Sequence, residues 1–284
     1  MQFALPSADF FIPDGRTPAE ALARVTHLGI GAHQDDLEFM AFHGINACYQ
    51  SDTDGFGGVT CTDGSGSART GAYGRYSDQE MMAVRRKEQR EAAIVGRYAA
   101  MIQLDYPSKA ARDPADSRMK EDLKAILSVA NPRIVYTHNP ADKHETHLAV
   151  VVAVLQAIRE LPPGRRPQAV HGCEVWRNLD WMPDAEKIVH DVSGHDNLAA
   201  SLNGLFDSQI AGGKRYDLAV LGRRRANATF FESHGVDQAD ALAFAMDLTP
   251  LAQDDSLDVI GYVTGIIDRF KADVTAKLRK RLDL

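Results

Sequence analysis

"THLGIGAHQDDLEF" (residues 26–39) runs from an apolar stretch into a histidine, two adjacent aspartates and the start of a helix-like pattern. A buried strand ends and a helix begins within a few residues, with a polar cluster between them. The first two thirds of the chain repeat this order. Apolar runs at 26–33, 56–62, 101–105, 133–138 and 169–176 read as short buried strands, and helix-period segments at 36–49, 78–100, 117–130 and 145–160 lie between them. Strand then helix, repeated, predicts an α/β, Rossmann-like three-layer sandwich with a mostly parallel sheet covered on both faces. Beyond about residue 195 the pattern is helical alone, at 196–210, 214–232, 237–246 and 255–282. The expectation is one domain over 1–284, with its core at 22–195 and a helical C-terminal portion at 196–284.

The chain has 284 residues, 44% hydrophobic and 25% charged, enough to bury a full core. Its 32 Lys and Arg against 39 Asp and Glu leave a net charge of -7, which supplies no broad attraction to nucleic acid or to an anionic membrane. The basic residues of the last helix, Lys271, Lys277, Arg279, Lys280 and Arg281, read as a solvated face. Cys48, Cys61 and Cys173 are too dispersed for a disulfide framework or a CxxC knuckle. The N-terminus lacks signal-peptide character, and no run of 18 apolar residues occurs. These features predict a cytoplasmic protein with a small-molecule partner, and homo-oligomers remain open.

In open parallel sheets, ligands gather beyond the carboxyl ends of the strands. His33, Asp35 and Asp36 fall at that edge, and so does "THNPADKHETH" (137–147), which follows the run "RIVYT". Two adjacent ionised carboxylates near a buried strand end repel each other and lose hydration unless a cation compensates them. Imidazole and carboxylate together suit zinc, with an open position for water in a catalytic site. His33 and Asp36 can supply two ligands from one turn, and the HxxH pair a third. Helix capping is the structural alternative for either aspartate.

"AHQDD" (32–36) and "HNPADKHETH" (138–147) together resemble the paired signatures of the LmbE-like, or PIG-L, zinc-dependent N-deacetylases, AHPDD and HxxxDxHxxH. Weaker matches follow in order: "VTCTDGSGS" (59–67), "RRKEQREAAIVG" (85–96) and "SQ" (208–209). Gln34 stands where the family has proline, and Thr146 where an aspartate is frequent. The resemblance makes His33, Asp36 and His147 the zinc ligands and Asp35 the general base. It also gives His144 the part of oxyanion partner or general acid, one helical turn before His147. Asp142 either holds His144 charged or caps the following helix. Iron(II) is an alternative metal. The implied substrate is an N-acetylated amino sugar or sugar conjugate.

Further candidates for the pocket are Arg85 or Arg86, as clamps on substrate hydroxyls, Trp176, as a stacking surface, and His234. Each has a structural alternative, in solvated arginines and buried tryptophan. His138 reads as a second partner of the site or a histidine satisfied at a strand end. Two other functional readings stand beside the hydrolase. "GIGAHQ" (29–34) carries two glycines of GxGxxG, the mark of a dinucleotide-binding oxidoreductase, but Asp35 and Asp36 would face the pyrophosphate with like charge. The other is a protein that binds a metal or a sugar without catalysis.

Overall fold

A computed structural model describes residues 1–284. Eight strands, β1 (Asp9–Phe11), β2 (Val25–Gly31), β3 (Gly55–Thr62), β4 (Ala100–Tyr106), β5 (Ile134–His138), β6 (Ala169–Cys173), β7 (Lys187–Asp191) and β8 (Leu242–Asp247), form one sheet in the order β1-β4-β3-β2-β5-β6-β8-β7. The five central strands β4, β3, β2, β5 and β6 are parallel, while β1, and β8 against both its neighbours, pair antiparallel. The chain leaves β2 toward β3 on one side and returns to β5 on the other. The strand order therefore reverses between β2 and β5, where an open α/β sheet leaves a crevice beyond its strand ends.

Helices cover both faces, as the alternating pattern predicts. One face packs Leu28, Ile30 and Val135 against the helices Arg118–Ala130 and Glu145–Arg159. The other packs Phe56, Met101 and Tyr136 against Asp36–Met40, Phe42–Cys48 and Asp78–Val95. Gly29 and Gly31 belong to this packing. A Cβ on Gly29 would stand 2.8 Å from the Phe56 ring, and one on Gly31 2.9 Å from Asp36 Cβ. These glycines let the helix of the doubled aspartates approach β2, a role that needs no nucleotide.

The sheet differs from expectation in its antiparallel margins. Residues 237–246, read as a helix, hold all but the last residue of β8, and β1 and β7 fall where no strand is expected. In β8 the side chains alternate: Leu242, Phe244 and Met246 enter one core, and Ala243 and Ala245, with Ala241 just before the strand, the other. The C-terminal portion thus contributes to the sheet and is not helical throughout. The helix expected at 36–49 breaks at Ala41, and that at 196–210 breaks after Gly204.

Four histidines away from the β2–β5 crevice lie in or near the core. The His43 and His190 rings stack at 4.1 Å, His171 stands 4.9 Å from His190, and Tyr136 Oη is 2.9 Å from His43 Nδ1. His27 Nδ1 faces Thr26 Oγ1 at 3.0 Å. Burial, with repulsion from His43 and His171, pushes His190 down to about 2. Its NMR ring resonances should hold the neutral position from pH 8 to pH 5; a midpoint near 6.5 would contradict the packing of this cluster.

Candidate active site

The turn after β2 carries His33, Gln34, Asp35 and Asp36. Asp36 opens the helix Asp36–Met40, and its Oδ2 accepts the His33 backbone N–H at 2.7 Å. Asp35 occupies the N-cap position with φ 98°, but its side chain makes no capping bond, so the capping reading fails for it. Its carboxylate faces Arg85 instead.

At the end of β5, the loop through Asp142 leads into the helix Glu145–Arg159 and brings His144 and His147 to the same crevice. His33 Nδ1 and His147 Nε2 stand 3.3 Å apart, and Asp36 lies 3.4 Å from the first and 3.5 Å from the second. One ligand atom from each of these three residues lies within 4.8 Å of the others. Asp142 Oδ2 is 3.4 Å from His147 Nδ1. With the Nδ1 proton directed there, the Nε2 lone pair turns toward His33 and Asp36. Two imidazole nitrogens and a carboxylate oxygen converging in this way fit a divalent cation.

His138 is fully buried, stacked on His147 at 3.7 Å, and its Nε2 accepts the Ala32 backbone N–H at 2.9 Å. Its Nδ1 is buried without a partner, so the ring is only half satisfied at its strand end, and it packs beneath a candidate ligand. Burial works against charge on His147, but Asp36 and Asp142 outweigh it and raise its pKa. Asp36, although buried, is held well below the usual carboxylate range by His147 and His138.

Asp142 differs from one expectation. Its Oδ1 accepts the Lys143 and His144 backbone N–H groups, and its Oδ2 faces His147 and the Trp176 N–H, so it does not hold the His144 ring. Burial and the neighbouring His147 and His33 push His144 down to about 4, leaving it neutral. Its Nδ1 is buried without a partner, and its ring lies 5.0 Å from that of His33.

Asp35 sits in a web drawn from the helix Asp78–Val95. Arg85 Nη2 donates to Asp35 Oδ2 at 2.8 Å and to the Gln34 carbonyl, while Nη1 donates to Glu88 Oε2 at 3.0 Å. Gln89 Oε1 accepts the Asp35 N–H at 3.1 Å, and Gln89 Nε2 reaches Glu38. Ser208 closes the far side, its Oγ donating to Glu88 at 2.7 Å. Burial pushes the Asp35 carboxyl up, to about 6, against the opposing pull of Arg85.

Residues 28–158 match the family model described as PIG-L: GlcNAc-PI de-N-acetylase. They belong to the PIG-L (LmbE-like) family. No curated protein shows significant sequence similarity to the chain. Among solved structures, the 4-carboxy-2-hydroxymuconate hydratase GalB of Pseudomonas putida is similar at 16% identity and TM-score 0.60, covering 78% of this chain and 95% of that one. The N,N'-diacetylchitobiose deacetylase of Pyrococcus horikoshii matches at 18% identity and TM-score 0.58, covering 82% and 88%. The zinc-inhibited form of the teicoplanin deacetylase Orf2 matches at 15% and 0.51, covering 78% and 97%. At these identities the likeness is one of fold.

Around the PIG-L signatures opens a cavity of about 490 Å³, with His33, Asp35, Asp36 and His144 on its wall. The glycine-rich loop contributes Gly64 and Gly66, and Gln209 and Trp176 complete the approach. Gly64 has φ 74°, and a Cβ there would meet Gln34 Oε1 at 2.7 Å. Arg85 lines the cavity, as expected of a pocket candidate, but it is 1% exposed and ion-paired to Asp35 and Glu88, so its guanidinium is committed to that web. Arg86 turns away to Asp105 and the Ser7 carbonyl, and His234 lies exposed in a loop; neither lines the cavity.

Sequence reasoning missed Arg112, Tyr216, Arg223 and Arg224, which line the PIG-L cavity together with Glu174. Arg224 is buried, its Nη2 donating to the Glu38 and Phe39 carbonyls where the helix Asp36–Met40 ends. Glu174 is held by Asn227 and the backbone of Leu179 and Phe244. These residues come from distant parts of the chain and carry no local motif.

Proposed function

We propose that this protein is a metal-dependent hydrolase that removes the acetyl group from an N-acetylated amino sugar or sugar conjugate. The observation that carries the reading is the convergence of His33, Asp36 and His147 within 4.8 Å, with the separate carboxylate of Asp35 on the wall of the same cavity. His33, Asp36 and His147 would hold the metal, zinc by the chemistry of their donors, with iron(II) as the alternative. When bound, such an ion polarises an amide carbonyl and makes water more acidic.

The chain's own residues supply the rest. Asp35, aimed by Arg85 and by the Gln89 contact to its backbone, takes the proton of the attacking water and passes it toward the leaving amine. Neutral His144 donates a hydrogen bond to the carbonyl oxygen as charge develops there. Trp176, with Lys214 over its ring at 5.2 Å, offers a stacking surface for a sugar, and Arg112 and Arg223 line the path for its polar groups. The names of two fold relatives, a diacetylchitobiose deacetylase and a teicoplanin deacetylase, agree with deacetylation; the second is named in a zinc-inhibited form, which speaks for zinc binding and not for zinc as the working metal.

The hydratase among the fold relatives makes released acetate the discriminating readout. The purified chain, incubated with a panel of N-acetylated sugars and conjugates, should release acetate from at least one of them. A chelator should abolish that release, and added zinc should restore it. Release that a chelator leaves untouched would overturn the metal-dependent reading.

A further inference from the structure

The helix Tyr216–Phe230 turns one face to the cavity: Tyr216, Ala219, Val220, Arg223 and Arg224 follow at helical spacing along its wall. Tyr216 marks the end nearest the candidate metal ligands, since its ring lies 5.9 Å from that of Trp176, which in turn is 6.4 Å from His144. Arg223 stands two turns further along, roughly 10 Å at 1.5 Å per residue. The short side chains of Ala219 and Val220 leave the space between the two ends open.

Positive charge collects at the far end and is not neutralised there. Arg223 is half-buried and donates to the Val175 carbonyl, next to Trp176, with no carboxylate at ion-pair distance. Arg224 is 4% exposed; its Nη2 donates to the Glu38 and Phe39 carbonyls, while Nε and Nη1 are buried without a partner. Burial pushes its guanidinium down to about 10, against the pull of Glu174. Lys214, exposed and also without a carboxylate partner, holds its Nζ 5.2 Å from the centre of the Trp176 ring. Glu174, the carboxylate at this end, is taken up by Asn227 and by the Leu179 and Phe244 N–H groups, and it pairs with neither arginine.

Carboxylates are not scarce in a chain with 39 Asp and Glu against 32 Lys and Arg. Arg85, buried on the same cavity wall, has two of them, Asp35 and Glu88. A guanidinium withdrawn from water without a counter-ion costs stability, and functional sites are where such uncompensated charge is kept.

We infer that the missing counter-ion arrives with the ligand: the far end of the cavity is a subsite for an anionic group, a carboxylate or a phosphate, carried on the aglycone of the N-acetylated sugar. The inference rests on the deacetylase reading and names the substrate class within it. With the acetyl group at the His33, Asp36 and His147 end and the ring against Trp176, the substituent of the sugar runs along the helix to Arg223. Arg223 is the residue exposed enough to touch it, and its planar fork suits either oxyanion. Arg224 and Lys214 add charge around it.

Calorimetric titration of the zinc-loaded Asp35→Asn chain, which lacks the proposed general base, tests this with three matched ligands: the methyl glycoside of N-acetylglucosamine, its carboxymethyl glycoside and its 1-phosphate. At least one charged sugar should bind about tenfold tighter than the methyl glycoside, the effect of one charge-assisted hydrogen bond, and the tighter of the two identifies the group. Adding Arg223→Gln, which keeps a donor for the Val175 carbonyl and removes the charge, should take away most of that difference, whereas Arg223→Lys should keep most of it. With Asp35 intact, kcat/KM for acetate release should show the same ratios, carried by KM. Equal affinity for charged and neutral sugars, or binding of none of them, would overturn the subsite. So would a preference that survives Arg223→Gln, which attraction to the metal alone would produce. A preference in binding with no acetate released from any of the three would overturn the deacetylase reading and leave the subsite standing.

Discussion

Replacing Asp35 with asparagine is expected to leave the metal in place and reduce turnover by 10²-fold or more, the usual cost of losing a general base. Asparagine has the shape of aspartate, and its Oδ1 can still accept from Arg85 Nη2, which stands 2.8 Å from the carboxylate in the native chain. The positive φ of residue 35 is also tolerated by asparagine. The loss would therefore report on proton transfer and not on collapse of the turn. The pH profile carries a second signature. Burial raises the Asp35 carboxyl to about 6, and a bound dication draws it down again. A base must be deprotonated to act, so activity should fall on the acid side at or below pH 6, and this limb should vanish in the residual activity of the variant. Normal turnover in Asp35→Asn would remove that carboxylate from the mechanism.

Arg85→Met should have the largest effect on stability. The guanidinium is 1% exposed, lies between Asp35 and Glu88, and donates to the Gln34 carbonyl as well. Methionine fills much of the volume but leaves two buried carboxylates without their cation, and removing one partner of a buried pair costs about 3–5 kcal/mol. Denaturant unfolding should show a loss of that order, and activity should fall with it because Asp35 loses its fixed direction. Lysine at the same position keeps the charge but not the planar fork, so it should recover part of the stability and little of the rate. An unfolding free energy equal to wild type in Arg85→Met would show that Arg85 does not hold this carboxylate web.

Much of the sheet was legible because its parallel strands are buried on both faces and read as continuous apolar runs. The site was legible for a related reason. His33, Asp35 and Asp36 lie in one turn, and His144 and His147 in one helical turn, so local spacing groups each set, while the division into ligands, base and oxyanion partner came from the resemblance to the PIG-L signatures. β8 was not read as a strand because "ALAFAMD" is rich in helix formers; its strand signal is the alternation of Leu242, Phe244 and Met246 with alanines, which fills a large-volume core on one side and a tight one on the other. Asp142 was ambiguous because its short side chain can reach either its own backbone or a ring, and it does both, though the ring is that of His147 and not His144. Arg85 and Arg86 are adjacent on one helix and look equivalent in sequence. A rotation of 100° sends the first into the buried web and the second to Asp105. Arg224 reaches the cavity from afar and could be found only in three dimensions.

The central claim is that His33, Asp36 and His147 jointly hold one metal ion. Metal content by mass spectrometry, measured on the wild-type chain and on His147→Ala after identical zinc loading and dialysis, tests it most directly. The account predicts about one zinc per wild-type chain and near-complete loss in the variant, with the fold intact by circular dichroism. Full zinc retention in His147→Ala, or a wild type that binds none, would contradict it.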